Sequence, residues 1–161
     1  MRDLADATAL LEASEPMHRQ PDLTALLPLV VAEASTIIAT DCAAIVRFAG
    51  IRRRVMDTYL GTASDNQAVV GKIRAVADAG WLIKPGCVDD LWLDSRWTDG
   101  IARGAVPPWR SLLTVSLDSP GREDQLRLSW FSVRPRHFAA STDIAGLFSR
   151  HASLAIRQLA A

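Results

Sequence analysis

The stretch Trp109-Arg110-Ser111-Leu112-Leu113-Thr114-Val115-Ser116-Leu117 decides how the chain is read. Polar and apolar residues alternate along it, as in a strand that lays one face on a core. Ser119-Pro120-Gly121 follows as a turn signal, and residues 125–133 (QLRLSWFSV) return as a second strand. Strands joined by so short a connection pair antiparallel.

Working outward, Pro135 ends the second strand, and Ser141 or Thr142 can cap a final helix. Ile144, Leu147, Phe148, His151, Leu154, Ala155 and Leu159 lie on one stripe of that helix. Upstream, residues 89–99 form an acid-rich loop carrying Trp92, Arg96 and Trp97, and residues 100–106 allow one or two helical turns before Pro107-Pro108. Lys84-Pro85-Gly86 is a turn between two short apolar runs. Val69, Val70, Ile73, Val76 and Ala77 make a short amphipathic helix that Gly80 can stop. Residues 42–48 and 52–60 flank Ala49-Gly50 as a first hairpin. Two helices precede it: one over residues 3–15, broken by Pro16 and Pro21, and one that Asp22 or Thr24 can cap. The second has apolar Leu23, Leu26, Leu27, Val30, Ala34, Ile37 and Ile38 at helical spacing, and Pro28 should bend it or sharpen its start.

Composition bounds the function. The chain has 161 residues, 49% apolar, and 18 basic residues against 18 acidic ones. One folded domain is expected at this length, and the apolar fraction excludes a disordered chain. A net charge of zero supplies no overall field for a nucleic acid or an anionic membrane, and it does not oppose self-association. No run approaches the roughly 18 apolar residues of a membrane span. The acidic start, Met1-Arg2-Asp3-Leu4-Ala5-Asp6, lacks a secretion signal, so a cytosolic location is expected. Cys42 and Cys87 form neither a zinc pattern nor a disulfide framework, and His18, His137 and His151 lie far apart in sequence. No cofactor or metal is expected.

The residues then meet a family. Val88-Asp89-Asp90-Leu91, Asp94-Ser95-Arg96-Trp97 and the strand from Trp109 to Leu117 together resemble the second half of a GAF domain. Residues 126–133, Phe138-Ala139-Ala140-Ser141-Thr142-Asp143 and His151-Ala152-Ser153-Leu154-Ala155-Ile156 are similar to its last strand and C-terminal helix. The Asp-x-Arg-Trp element resembles actinobacterial GAF domains, which often precede an RNA-binding ANTAR output domain. The family's glycine-rich loop before the Val88 stretch is abbreviated in this chain.

The resemblance implies an α/β (α+β) GAF/PAS-like fold. An antiparallel sheet of five or six strands would carry the terminal helices on one face and the short helix and loops on the other. Residues 1–21 would be an N-terminal helical extension and residues 22–161 the GAF-like domain. It implies a non-catalytic sensory module that binds a small molecule and signals through a helical homodimer, either free-standing or part of a longer regulator. A GAF domain with a filled pocket, used for dimerisation or for docking a regulatory partner protein, is the alternative. A reductase of free methionine sulfoxide is a third reading, and it needs two thiols close enough to form a disulfide.

Five tryptophans fall within residues 81–130, against one tyrosine in the whole chain. Large aromatics can line an apolar cavity or fill it. The candidate pocket residues are Trp81, Cys87, Asp90, Trp92, Asp94, Arg96, Trp97, Trp109, Ser111, Thr114 and Trp130. Arg96 can instead clamp a loop carboxylate such as Asp90, and Trp97 can plug the core. Ser116, Ser129 and Ser132 are further polar residues on the strands near the core. The candidate dimer interface is Leu4, Leu11, Leu26, Val30, Leu147, His151 and Leu154. His151 is read as a packed helix residue, since no second metal ligand is in view. Arg52-Arg53-Arg54 is read as a solvated turn at a sheet edge.

Overall fold

A computed structural model describes residues 2–50, 54–61, 67–78, 82, 84–93, 109–118 and 124–160. The sheet has five strands: β1 (Cys42–Ala49), β2 (Arg54–Leu60), β3 (Gly86–Val88), β4 (Ser111–Leu117) and β5 (Asp124–Ser132). Their order is β2-β1-β5-β4-β3, and every neighbouring pair is antiparallel. Four helices accompany it: α1 (Arg2–Met17), α2 (Leu23–Ile37), α3 (Gln67–Asp78) and α4 (Thr142–Ala160). This is the α+β arrangement expected from the sequence.

The sheet separates two cores. β1 has no polar–apolar alternation between Cys42 and Val46 because both of its faces are covered. On one face Ala43, Ile45, Leu126, Leu128 and Trp130 pack against Leu26, Leu27 and Val30 of α2 and Phe148, Ala152 and Ile156 of α4. Leu10, Ala13 and Met17 of α1 join the same core. Each fully buried Leu or Phe is worth about 1.5–3 kcal/mol, so these apolar stripes hold the helices to the sheet. On the other face Ala44, Val46, Phe48, Leu112 and Phe131 meet Ile73, Val76 and Ala77 of α3, together with Leu82, Leu91 and Trp109.

Asp22 caps α2 by accepting a hydrogen bond from the Ala25 amide at 2.8 Å. The helix runs on through Pro28, and α1 ends one residue beyond Pro16. Gly61 permits a close approach between the end of β2 and α2. A Cβ there would lie 2.7 Å from the Val31 carbonyl oxygen, while Ser35 Oγ donates to the Gly61 carbonyl at 3.2 Å. No described helix is long and apolar enough to cross a membrane.

Candidate functional site

The motif that carries the family resemblance builds a polar knot at one end of the sheet. Asp90 follows β3, and Arg110 precedes β4. Arg110 Nη2 donates to Asp90 Oδ2 at 2.6 Å, and its Nε donates to Oδ1 at 3.3 Å. The same carboxylate accepts the Trp92 amide at 3.1 Å. Arg110's guanidinium lies 4.4 Å from the centroid of the Trp92 ring. Asp89 serves the other side, with its carboxylate 2.7 Å from His137 Nδ1 and accepting the Phe138 amide at 3.4 Å. Asp41 Oδ2 accepts the Val133 amide at 2.8 Å and the Ser132 hydroxyl at 3.1 Å. These bonds tie the end of β3 to the start of β4 and to the β5–α4 connection.

Two candidate pocket residues, Asp90 and Trp92, take part in this knot. Asp90 has both oxygens engaged inside the fold, and Trp92 is 44% exposed beneath Arg110. Both help to hold the loop that follows β3. Arg110 performs the clamp on Asp90 that the sequence also allows for Arg96. Trp81, Asp94, Arg96 and Trp97 lie outside the described residues.

Strand register sorts the remaining candidates by face. Residues directly opposite one another on neighbouring strands share a face. Gly86 opposes Thr114, Thr114 opposes Ser129, and Ser129 opposes Ala44. Four adjacent strands therefore present one row of small side chains on the α3 face. Gly86 begins this row with φ +148, where a side chain would be strained. Thr114 Oγ1 and Ser129 Oγ lie 2.8 Å apart in the middle of it, both buried. The next row is bulkier over three strands, with Val88, Leu112 and Phe131, and ends at Cys42. Trp109 packs on it, its ring 5.3 Å from that of Phe131 and only 5% exposed. Among the described residues, Trp109 Nε1 and Thr58 Oγ1 are buried without a hydrogen-bond partner.

Trp130, Ser111 and Cys87 do not join this row. Trp130 faces the α2–α4 layer, fully buried, and its Nε1 donates to the Ala34 carbonyl at 2.9 Å. Ser111 donates to the Arg134 carbonyl at 2.7 Å. Cys87 opposes Leu113, which belongs to the α2–α4 core, so its exposed thiol is on that side of the edge strand. Cys42 is on the α3 face. The thiols thus occupy opposite faces, on strands three sheet spacings apart, about 14 Å. A disulfide between them would require the sheet to be dismantled. Burial, and then the charge of Asp41, also pushes the Cys42 thiol up to about 11, away from the thiolate.

A groove of about 830 Å³ opens between the middle of α1 and the N-terminal half of α4. Leu10, Leu11, Ile144 and Leu147 line it, with Arg150 and His151 at its wall. Leu11 is 65% exposed, Leu147 45% and Leu154 43%. Of the candidate interface residues, Leu11, Leu147, His151 and Leu154 thus fall on this helical surface. Leu26 and Val30 do not. At 0% exposure they are spent on the chain's own sheet and have no area to give a second copy. The side chain of Leu4 lies outside the described residues. No described group of His, Cys, Asp and Glu could hold a metal ion.

No protein-family profile and no curated protein matches the chain. Solved structures do. The GAF domain from an Acinetobacter phosphoenolpyruvate-protein phosphotransferase superposes with a TM-score of 0.64 at 15% identity, covering 96% of this chain and 94% of that one. The fold is the GAF fold. The far-red absorbing dark state of JSC1_58120g3, with bound biliverdin IXa, gives a TM-score of 0.61 at 14% identity over 94% and 98% of the two chains. The N-acylhomoserine lactone dependent LuxR-family factor CepR2 from Burkholderia cenocepacia gives 0.62 at 13% identity over 96% and 98%.

Proposed function

We propose that this chain is a non-catalytic sensory GAF module, cytosolic, which takes a small, apolar or weakly polar molecule between the sheet and α3 and signals through a homodimer of its α1 and α4 helices. The observation that carries the reading is Trp109 Nε1, a buried donor without an acceptor among the described residues, one row from the Thr114–Ser129 hydroxyl pair. A buried unsatisfied N–H costs about 1–3 kcal/mol, and a ligand carbonyl or ether oxygen would recover that cost. Small side chains along that row would give depth to a ligand seated over it, and few polar groups among apolar walls suit an apolar one. That one GAF-fold neighbour holds biliverdin, and that another is named for its dependence on an N-acylhomoserine lactone, supports a small-molecule role. The Asp94–Trp97 resemblance supports placing the module at the input of a regulator.

The separation of Cys42 and Cys87 speaks against the thiol reductase. A filled pocket, with the domain kept for dimerisation or partner docking, is favoured by one specific observation: Trp109 and Phe131 are already packed ring against ring, tilted by 38°, and buried. A thermal-shift screen of apolar and weakly polar metabolites separates the two. A ligand of the native state raises Tm in a dose-dependent way. The sensory reading expects such a ligand for the wild type and a reduced shift in Trp109→Phe, which keeps an aromatic ring, smaller than the indole, and removes the donor. A shift equally large in Trp109→Phe removes Trp109 Nε1 from the site.

A further inference from the structure

We infer that the α1–α4 groove is the seat of a second copy of this chain, with Leu11 of each copy entering the groove of the other and Glu12 of each meeting Arg150 of the other. This rests on the homodimer proposed above and adds its register. A two-fold interface buries the same patch on both partners, so that patch must carry a protrusion and a recess, and charges of both signs. This surface carries all of them. Leu11, itself 65% exposed, stands at a recess that Leu10, Ile144 and Leu147 also line.

The charges divide between the two helices. α1 holds Asp3, Asp6, Glu12 and Glu15 against Arg2, whereas α4 holds Arg150 and Arg157 against Asp143. Two of these are satisfied within the chain: Glu15 pairs with Arg19, and Arg157 Nε bonds Asp118 at 2.8 Å. Asp143 sits in the first turn of α4, where the helix dipole favours its charge. Among the helix charges whose side chains are described, Glu12 and Arg150 remain, both exposed and both without a partner among the described residues. Glu12 follows the exposed Leu11 directly, and Arg150 stands at the wall of the recess, so docking Leu11 brings opposite charges together twice per dimer. The zero net charge of the chain offers no general repulsion against this contact.

Glu12→Arg and Arg150→Glu, each alone and in an equimolar mixture, test the register by sedimentation velocity, with circular dichroism to check folding. Each single variant places like charges across both contacts, and self-association should weaken by roughly tenfold or more. In the mixed dimer both contacts are again of opposite sign, so the mixture should associate to within about threefold of the wild type. Single variants that dimerise like the wild type overturn the register while leaving the homodimer intact. A mixture no better than its components does the same. A wild type that stays monomeric at about 100 μM, well above typical specific affinities, overturns both and leaves the groove to a different protein or an amphipathic small molecule.

Discussion

Arg110 holds Asp90 through two nitrogens while its guanidinium lies 4.4 Å from the Trp92 ring centroid. One side chain thus fixes the loop that follows β3 onto the start of β4. Arg110→Ala would leave the Asp90 carboxylate, 12% exposed, with only an amide donor, at an expected loss of about 2 kcal/mol. Arg110→Lys keeps the charge but loses the fork and the stacking, and about half that loss is expected. Urea unfolding measures both. Equal stability in all three proteins would show that the knot is ornamental.

The Thr114–Ser129 pair predicts a non-additive cycle. Thr114→Val or Ser129→Ala alone strands one buried hydroxyl or its site, and each should cost about 1–2 kcal/mol. The double variant removes both partners together and should cost less than the sum of the singles. Strict additivity in urea unfolding would mean that the two hydroxyls do not depend on each other.

Gly61 is a steric prediction. Its missing Cβ would press on the Val31 backbone oxygen at 2.7 Å, a group that cannot swing aside. Gly61→Ala should cost about 1–3 kcal/mol by forcing α2 off β2. Retention of the wild-type Tm would place the helix farther from the strand than this.

The cysteines predict a labelling pattern. At pH 8 a thiol reagent should modify Cys87 rapidly and Cys42 only after unfolding, because Cys42 is buried and its thiol is pushed up to about 11. The unfolded thiol ionises near its ordinary value of 9.0. Between pH 9 and 11 the unfolded state therefore loses a proton that the folded state keeps, and stability falls as pH rises through that window. Below it Cys42 contributes no slope. Cys42→Ala should flatten the alkaline decline relative to wild type, and an unchanged slope would contradict the burial argument.

Much of the fold was legible because its signals are local. The hairpin of β4 and β5, the Asp22 cap and the α4 stripe each follow from residues a few positions apart. The site was less legible because its logic is register across strands. Alternation alone puts Trp130 in phase with Leu126 and Leu128, away from Ser129. Knowing which phase meets α3 requires the pairing of Ser129 with both Thr114 and Ala44. Arg110 stood inside the quoted motif, yet its partner Asp90 lies 20 residues away, and no spacing rule links them. Leu26 and Val30 looked like interface because an apolar stripe does not announce whether its own sheet or another copy will cover it.

The central claim is that the α3 face of the sheet, beside the Thr114–Ser129 pair, receives a small apolar molecule. A crystal of the chain under xenon pressure measures this most directly, since xenon enters apolar cavities without needing a specific fit. The account predicts xenon density bounded by Ala44, Thr114 and Ser129 on the sheet side and by α3 or Trp109 on the other. Side chains in continuous contact over that row, with no xenon between them, would contradict it and establish the domain as a filled GAF fold.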